Sequence, residues 1–378
     1  MTRILTATVL FGALTTLGLA AEPASRPAQI DFKFKFEPGR VVRHRVETRS
    51  VGSIKLPAPL PEQKFTQTFQ QVMTTTCQQV NPDGSAEMKV TLDEVVMKMS
   101  MGAMAINFDS RTYDPSKRGD KTGEGVFAPP AEMVRRLFSA MVGASFTMTL
   151  SESGQPLKIE GLSASIRKAL QAMASEGHSA AAAKALMDQL GGIFDDSTLN
   201  DQMQSFYRMS PPQGAARIGE KWEQSWGMKV PMVDSRIEGK GEYELISIQE
   251  FRGRPCAKIR VKENYRILPP DPADRAASTS GSLLQNLLGS MNMELSTSGG
   301  DGTAYIDYQR GELVQLRQSQ NMTIRISFDT NNSDAADTDA RGTPAPPLVQ
   351  QIRTAVRMDL LDDESSDQKA EAPDDSAR

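Results

Sequence analysis

Catalytic chemistry has few residues to work with in this chain. Histidine occurs only at His44 and His178, cysteine only at Cys77 and Cys256, and tryptophan only at Trp222 and Trp226. A Ser-His-Asp centre would need one of the two histidines. His44 sits on an expected strand between Arg43 and Arg45 and reads as a surface residue, and His178 falls between expected helices. The chain has no Gly-x-Ser-x-Gly, His-Glu-x-x-His, Gly-x-x-x-x-Gly-Lys or Cys-x-x-Cys, and no carboxylate pair stands out among its 47 acidic residues, so no catalytic residue and no cofactor is assigned. Asp329-Thr330-Asn331 opens like a calcium loop, but Asp334 stands where that loop needs Gly and Ala340 where it needs Glu. Two cysteines exclude a disulfide scaffold; Cys77 and Cys256 are either one bridge between the halves of the chain or two separate thiols.

Long apolar runs are absent too, once the N-terminus is passed. Residues 1–21 carry Arg3, an apolar stretch from Ile4 to Leu19 and small residues up to Ala20-Ala21, the pattern of a signal peptide cleaved near that point. No later run approaches the roughly 18 apolar residues of a membrane helix, so a periplasmic or secreted protein is expected and an integral membrane protein is not. The net charge is −4, and loss of Arg3 with the leader makes the remainder more negative, which argues against nucleic acid as a partner.

What is present is alternation. After a linker over 22–29, Phe32, Phe34 and Phe36 alternate with Lys33 and Lys35, which predicts an amphipathic strand. Met88, Val90 and Leu92 alternate with Lys89 and Thr91, and Ala257, Ile259 and Val261 with Lys258 and Arg260; both read Gly-x-x-x-apolar-Lys-apolar-x-apolar. Side chains two apart share a face, so each copy is a strand with one face on a core. The apolar parity of the first copy slips between Leu92 and Val95, which predicts a β-bulge near Asp93 or Glu94. Gly39-x-x-Val42-x-x-x-Val46 is echoed as Gly219-x-x-Trp222-x-x-x-Trp226, and a hairpin over 146–159 by another over 304–316. These echoes come in one order, which predicts a module written twice.

The expected fold is therefore α+β and mainly antiparallel β, with pseudo-duplicated curved sheets of half-barrel or sandwich-like form. The first repeat covers 30–160 with a short helix over 131–141, a helical segment follows over 161–209, and the second repeat covers 210–361. Residues 348–361 fit a strand or a helix; their β-branched residues favour a strand paired with Met322–Phe328. The acidic stretch 362–378 is expected to be solvated.

Methionine is plentiful, with 20 residues against 6 tyrosines. Met97, Met99, Met101 and Met104 recur at strand spacing, and three readings stand: ordinary core, a deformable wall for an apolar ligand, or a thioether site for Cu(I). The sequence supports a non-catalytic binder of an apolar ligand, a lipid or lipoprotein, with Met97, Met99, Met101, Met148, Trp222 and Trp226 as the candidate lining. The alternative is a structural envelope component that binds protein partners by its strand edges.

The leader, the Gly-x-x-Val and Gly-x-x-Trp strand starts, the Asp83-Gly84 turn, the aromatic-Asp-Ser end at Phe108-Asp109-Ser110 and the duplicated layout resemble a family of uncharacterised secreted bacterial proteins, a domain of unknown function. The resemblance implies no activity. At the level of fold alone, long antiparallel strands with helices across one face are similar to the half-barrels of periplasmic lipoprotein carriers.

Overall fold

The computed structural model of the protein describes residues 29–32, 34–56, 60–102, 104–114, 131–161, 163–165, 168, 209, 214–229, 236–268, 291–328 and 347–361. The leader, most of the expected helical segment over 161–209 and the acidic stretch over 362–378 lie outside them.

In chain order the elements are β1 (Gln29–Asp31), β2 (Val41–Lys55), β3 (Gln63–Val80), β4 (Ala86–Met101), β5 (Met104–Asp109), α1 (Ala131–Met141), β6 (Ser145–Leu150), β7 (Pro156–Glu160), β8 (Ala215–Arg217), β9 (Lys221–Lys229), β10 (Arg236–Phe251), β11 (Arg254–Leu268), β12 (Met291–Asp307), β13 (Glu312–Phe328) and β14 (Leu348–Leu361). All but β1, α1 and β8 form a single antiparallel sheet ordered β7-β6-β4-β3-β2-β14-β13-β12-β11-β10-β9, with β5 paired to the far half of β4. It is a large curved sheet that stays open, with β7 and β9 as its edges. Two hairpin-linked meanders, β2 to β7 and β9 to β14, meet where β14 pairs with β2. The strands that carry the paired motifs fall in matched places, because β4 and β11 are each third in their own meander.

One row of register partners shows why the sequence alternates. Leu245, Ile259, Ala304, Leu316, Met358 and Val46 lie side by side across six strands, and all are buried. Each is flanked along its own strand by residues of the opposite face, so every second position is apolar. We call this buried face the inner one. Ile30, Phe32 and Ala216, from β1, β8 and the segment after β1, pack against it. Farther along the sheet α1 lays Phe138 against Phe69 and Phe108, with ring centroids 5.6 and 6.0 Å apart.

The parity slip in β4 is a bulge. Val72 pairs with Glu94 but Met73 pairs with Leu92, so Asp93 is the extra residue. Residues 348–361 are a strand, and β14 pairs with Gln315–Ile326 of β13. The expected strand over 30–36 is corrected: only Gln29–Asp31 pairs, with β8, and the three phenylalanines that follow belong to an extended strap.

Phe32 is 1% exposed and lies 6.3 Å from the Trp222 ring. Phe32→Ala is expected to lower unfolding free energy by about 3–5 kcal/mol. Leu157→Ala, on a side chain 57% exposed, is expected to stay within about 0.5 kcal/mol. Urea unfolding of the two variants checks both values.

Candidate functional site

The strap from Phe32 to Arg40 builds the site by joining places that are far apart in the sequence. Its backbone donors leave for loops instead of a neighbouring strand: Phe32 N to the Gly214 carbonyl at 2.6 Å, Phe34 N to the Glu152 carbonyl at 3.4 Å and Lys35 N to the Arg310 carbonyl at 3.3 Å. Glu152 is in the β6–β7 turn and Arg310 in the β12–β13 turn, so one segment ties both meanders. Gly39 N then donates to the Cys77 carbonyl at 2.8 Å, and Cys77 N to the Arg40 carbonyl at 2.9 Å.

Phe34 passes between two turn glycines. Gly154 and Gly311 have φ of 76° and 72°, and a Cβ on them would stand 2.3 Å from the Phe34 ring and 2.5 Å from its Cα. Both positions need glycine, for the left-handed backbone and for the space.

Beneath the strap is a cavity of about 110 Å³. Its apolar wall is drawn from both meanders, with Met88 of β4 and Leu150 of β6 on one side and Ile306 of β12 and Met358 of β14 on the other. Phe34 and Phe36, whose rings stack at 6.0 Å, roof it. His44 and Cys77 are also on the wall, and Lys35, Glu37, Arg40, Arg310 and Glu312 border it.

His44 corrects the expectation of a surface residue. It is half-buried, and its Nε2–H donates to the Leu313 carbonyl at 3.0 Å. Burial lowers its pKa, against the opposing pull of that carbonyl and of the Asp359 charge. Burial also raises the Cys77 thiol pKa. Cys77 and Cys256 are separate free thiols, and burial, with help from Asp307, pushes Cys256 up to about 12. Asp359 is 7% exposed. Burial disfavours its charge, but hydrogen bonds from Gln315 and Arg357 and the charges of Arg357 and Arg252 outweigh this and lower its pKa. A second polar point lies on the inner face, where the buried Glu263 carboxylate accepts from Tyr265, Gln318 and Gln320.

Four of the six residues expected from the sequence fall in three separate packing clusters, Met97 and Met99 in one, Met148 in another and Trp222 in a third. Met97 is buried with Val95, Ile106 and Phe108, Met99 packs against the same group, and Met101 at the strand end is 38% exposed. Met148 is fully buried beside Leu150 and is the register partner of Met88. Trp222 stacks on Tyr243 at 5.9 Å. Trp226 lies over Gly239, its register partner, and meets Tyr265 edge-on at 5.5 Å. None of the six borders the cavity; the methionines that do are Met88, Met209 and Met358. The Phe32/Phe34/Phe36 alternation was the legible signal for the roof. Among the described residues no group of three His, Cys, Asp or Glu side chains is placed to hold a metal ion, and no helix is long and apolar enough to cross a membrane.

A family model described as a family of unknown function, DUF6263, matches residues 83–311, from the turn before β4 to the turn before β13. The chain belongs to this family. The matched region supplies Met88, Leu150, Ile306 and Arg310 to the cavity, while the strap and β2 precede it and Met358 of β14 follows it. No curated protein matches the chain. Among solved structures, lipovitellin, described for its lipid–protein interactions, aligns at 9% identity and a TM-score of 0.38, over 89% of this chain and 27% of that one. The chain thus spans about a quarter of lipovitellin's length. An outer membrane channel from Pseudomonas putida F1 aligns at 5% identity and a TM-score of 0.18, over 90% and 99% of the two chains. DynF from the dynemicin pathway of Micromonospora chersina aligns at 8% and 0.16, over 92% and 93%. At these scores neither kinship nor use follows.

The His44 geometry sets a pH dependence. Its folded pKa lies below the ordinary value of 6.5, so its contribution is intact above pH 6.5 and is lost as pH falls from there toward the folded pKa. The melting temperature is expected to drop by roughly 2 °C or more between pH 7.5 and 5.5. His44→Gln, which keeps a donor for Leu313, is expected to flatten that slope in the same thermal scans.

Proposed function

We propose that the protein is a non-catalytic binder of an apolar chain, carried by a lipid or a lipidated partner, and that it acts in the periplasm or outside the cell after losing its first twenty-one residues. The cavity under the strap supports this reading, because Phe34, Phe36, Met88, Leu150, Ile306 and Met358 offer a chain apolar contact on several sides. Unbranched methionines on such a wall adjust to the shape of what enters. Size decides how much is held. At about 110 Å³ the cavity is smaller than the roughly 150 Å³ that admits benzene, so it takes the end of a chain while the rest of the ligand stays outside. The wall is poorly suited to catalysis: the Nε2–H of His44 is committed to a carbonyl, and burial holds Cys77 away from the reactive thiolate.

Calorimetric titration with straight-chain alcohols from butanol to decanol tests this. Affinity is expected to rise about fourfold per methylene for the first few and then level off as the cavity fills. Met88→Trp, which occupies the space, is expected to remove the rise. Affinity independent of chain length in the unmodified protein would contradict the reading.

A further inference from the structure

A second recess, of about 310 Å³, adjoins the apolar cavity and shares Arg40, Val42, Arg310 and Glu312 with it. Its other walls bring Arg43 and Arg254 to the same rim, beside the ends of β2 and β14. Four arginines therefore line a space in which Glu312 is the one acidic residue among the described residues of the wall. Glu312 is divided between two of them, 2.6 Å from Arg40 and 3.1 Å from Arg254. Arg254 also lies 3.7 Å from Asp307, and Arg40 3.5 Å from Glu37. Arg43 reaches Asp93 only at 3.8 Å, beyond hydrogen-bond distance. Among the described residues no carboxylate comes within 4 Å of the Arg310 side chain. The carboxylates beside Arg40, Arg43 and Arg254 offset much of their charge, and Arg310 adds a charge that no described carboxylate meets, so an added anion has a favourable place beside it. Arginine suits the task because its planar fork grips carboxylate, sulfate or phosphate through paired donors.

We infer that this recess holds the anionic head of the ligand whose chain end enters the cavity, so that the ligand class is an anionic single-chain amphiphile. The inference rests on the reading of the cavity as a chain site. The two spaces share walls, so one molecule can occupy both, with Val42 between apolar and charged surroundings.

Octanol, octyl sulfate, octylammonium and inorganic sulfate, titrated separately into the full chain at low salt, test it. Octyl sulfate is expected to bind about tenfold more tightly than octanol and octylammonium less tightly than either, with the preference shrinking as salt is added. The double variant Arg43→Gln, Arg254→Gln, at two arginines that line the recess but not the cavity, is expected to bring octyl sulfate down toward the affinity of octanol and to leave octanol unchanged. Equal binding of the three octyl compounds overturns the head site alone, whereas failure of octanol to bind overturns the chain site beneath it. Inorganic sulfate binding as tightly as octyl sulfate would make the recess a free-anion site and defeat the proposal. Asp362, Asp363 and Glu364 follow Leu361 of the recess wall directly. In the full chain with Asp362→Asn, Asp363→Asn and Glu364→Gln the preference is expected to persist; a preference that emerges only in that variant assigns the recess to the chain's own carboxylates and overturns the inference.

Discussion

An open sheet with one apolar face has to cover that face, and the strap from Phe32 to Arg40 is how this protein begins to do so. The strands supply their own backbone pairing, and Ile30, Phe32 and Ala216 join the row from Leu245 to Val46 in one buried apolar cluster. Burying such side chains is the dominant favourable contribution to the fold. Because the strap's backbone bonds go to turns at the ends of both meanders, covering the face and joining the meanders are one act. The cavity is the space left over between a thin strap and a curved sheet.

The same constraint explains the turns. Phe34 fits only because Gly154 and Gly311, at the tips of two hairpins from different halves, have no side chain to oppose it. Arg310 lies in the β12–β13 turn, Glu312 opens β13, and Lys35, Glu37 and Arg40 come from the strap, so the site's charged rim sits on the strap and a hairpin end while its floor stays on strands. An apolar floor under a polar rim is the arrangement on which the proposed binding of an amphiphile rests.

The sheet was largely legible in the sequence. Alternation at Met88–Leu92 and Ala257–Val261, the slip at Asp93 and the β-branched run before Leu361 each report a local, period-two property of a strand, and each strand is there. The site was less so. Met97 and Met99 look like a wall because they share a face, but Phe138 of α1 packs against that face, and sequence spacing does not say what lies opposite a strand. His44 reads as exposed between two arginines, yet the carbonyl of Leu313 at the start of β13, 269 residues away, accepts its Nε2–H. The four arginines of the recess come from β2, its preceding turn, β11 and the β12–β13 turn, and only tertiary structure brings them together. Phe32, Phe34 and Phe36 were correctly grouped by spacing, but the strand they implied gave way to a strap because their amides meet loops.

Methyl-detected NMR on protein labelled at the methionine methyls tests the central claim most directly, since methionines stand both on the cavity wall and away from it. On titration with octanol, the Met88 and Met358 methyl signals are expected to shift and to show through-space contacts to the terminal methyl of the alcohol, while Met97 and Met99 stay unmoved. Shifts confined to Met97, Met99 and Met101, or none at Met88 and Met358 at saturating octanol, would contradict the account.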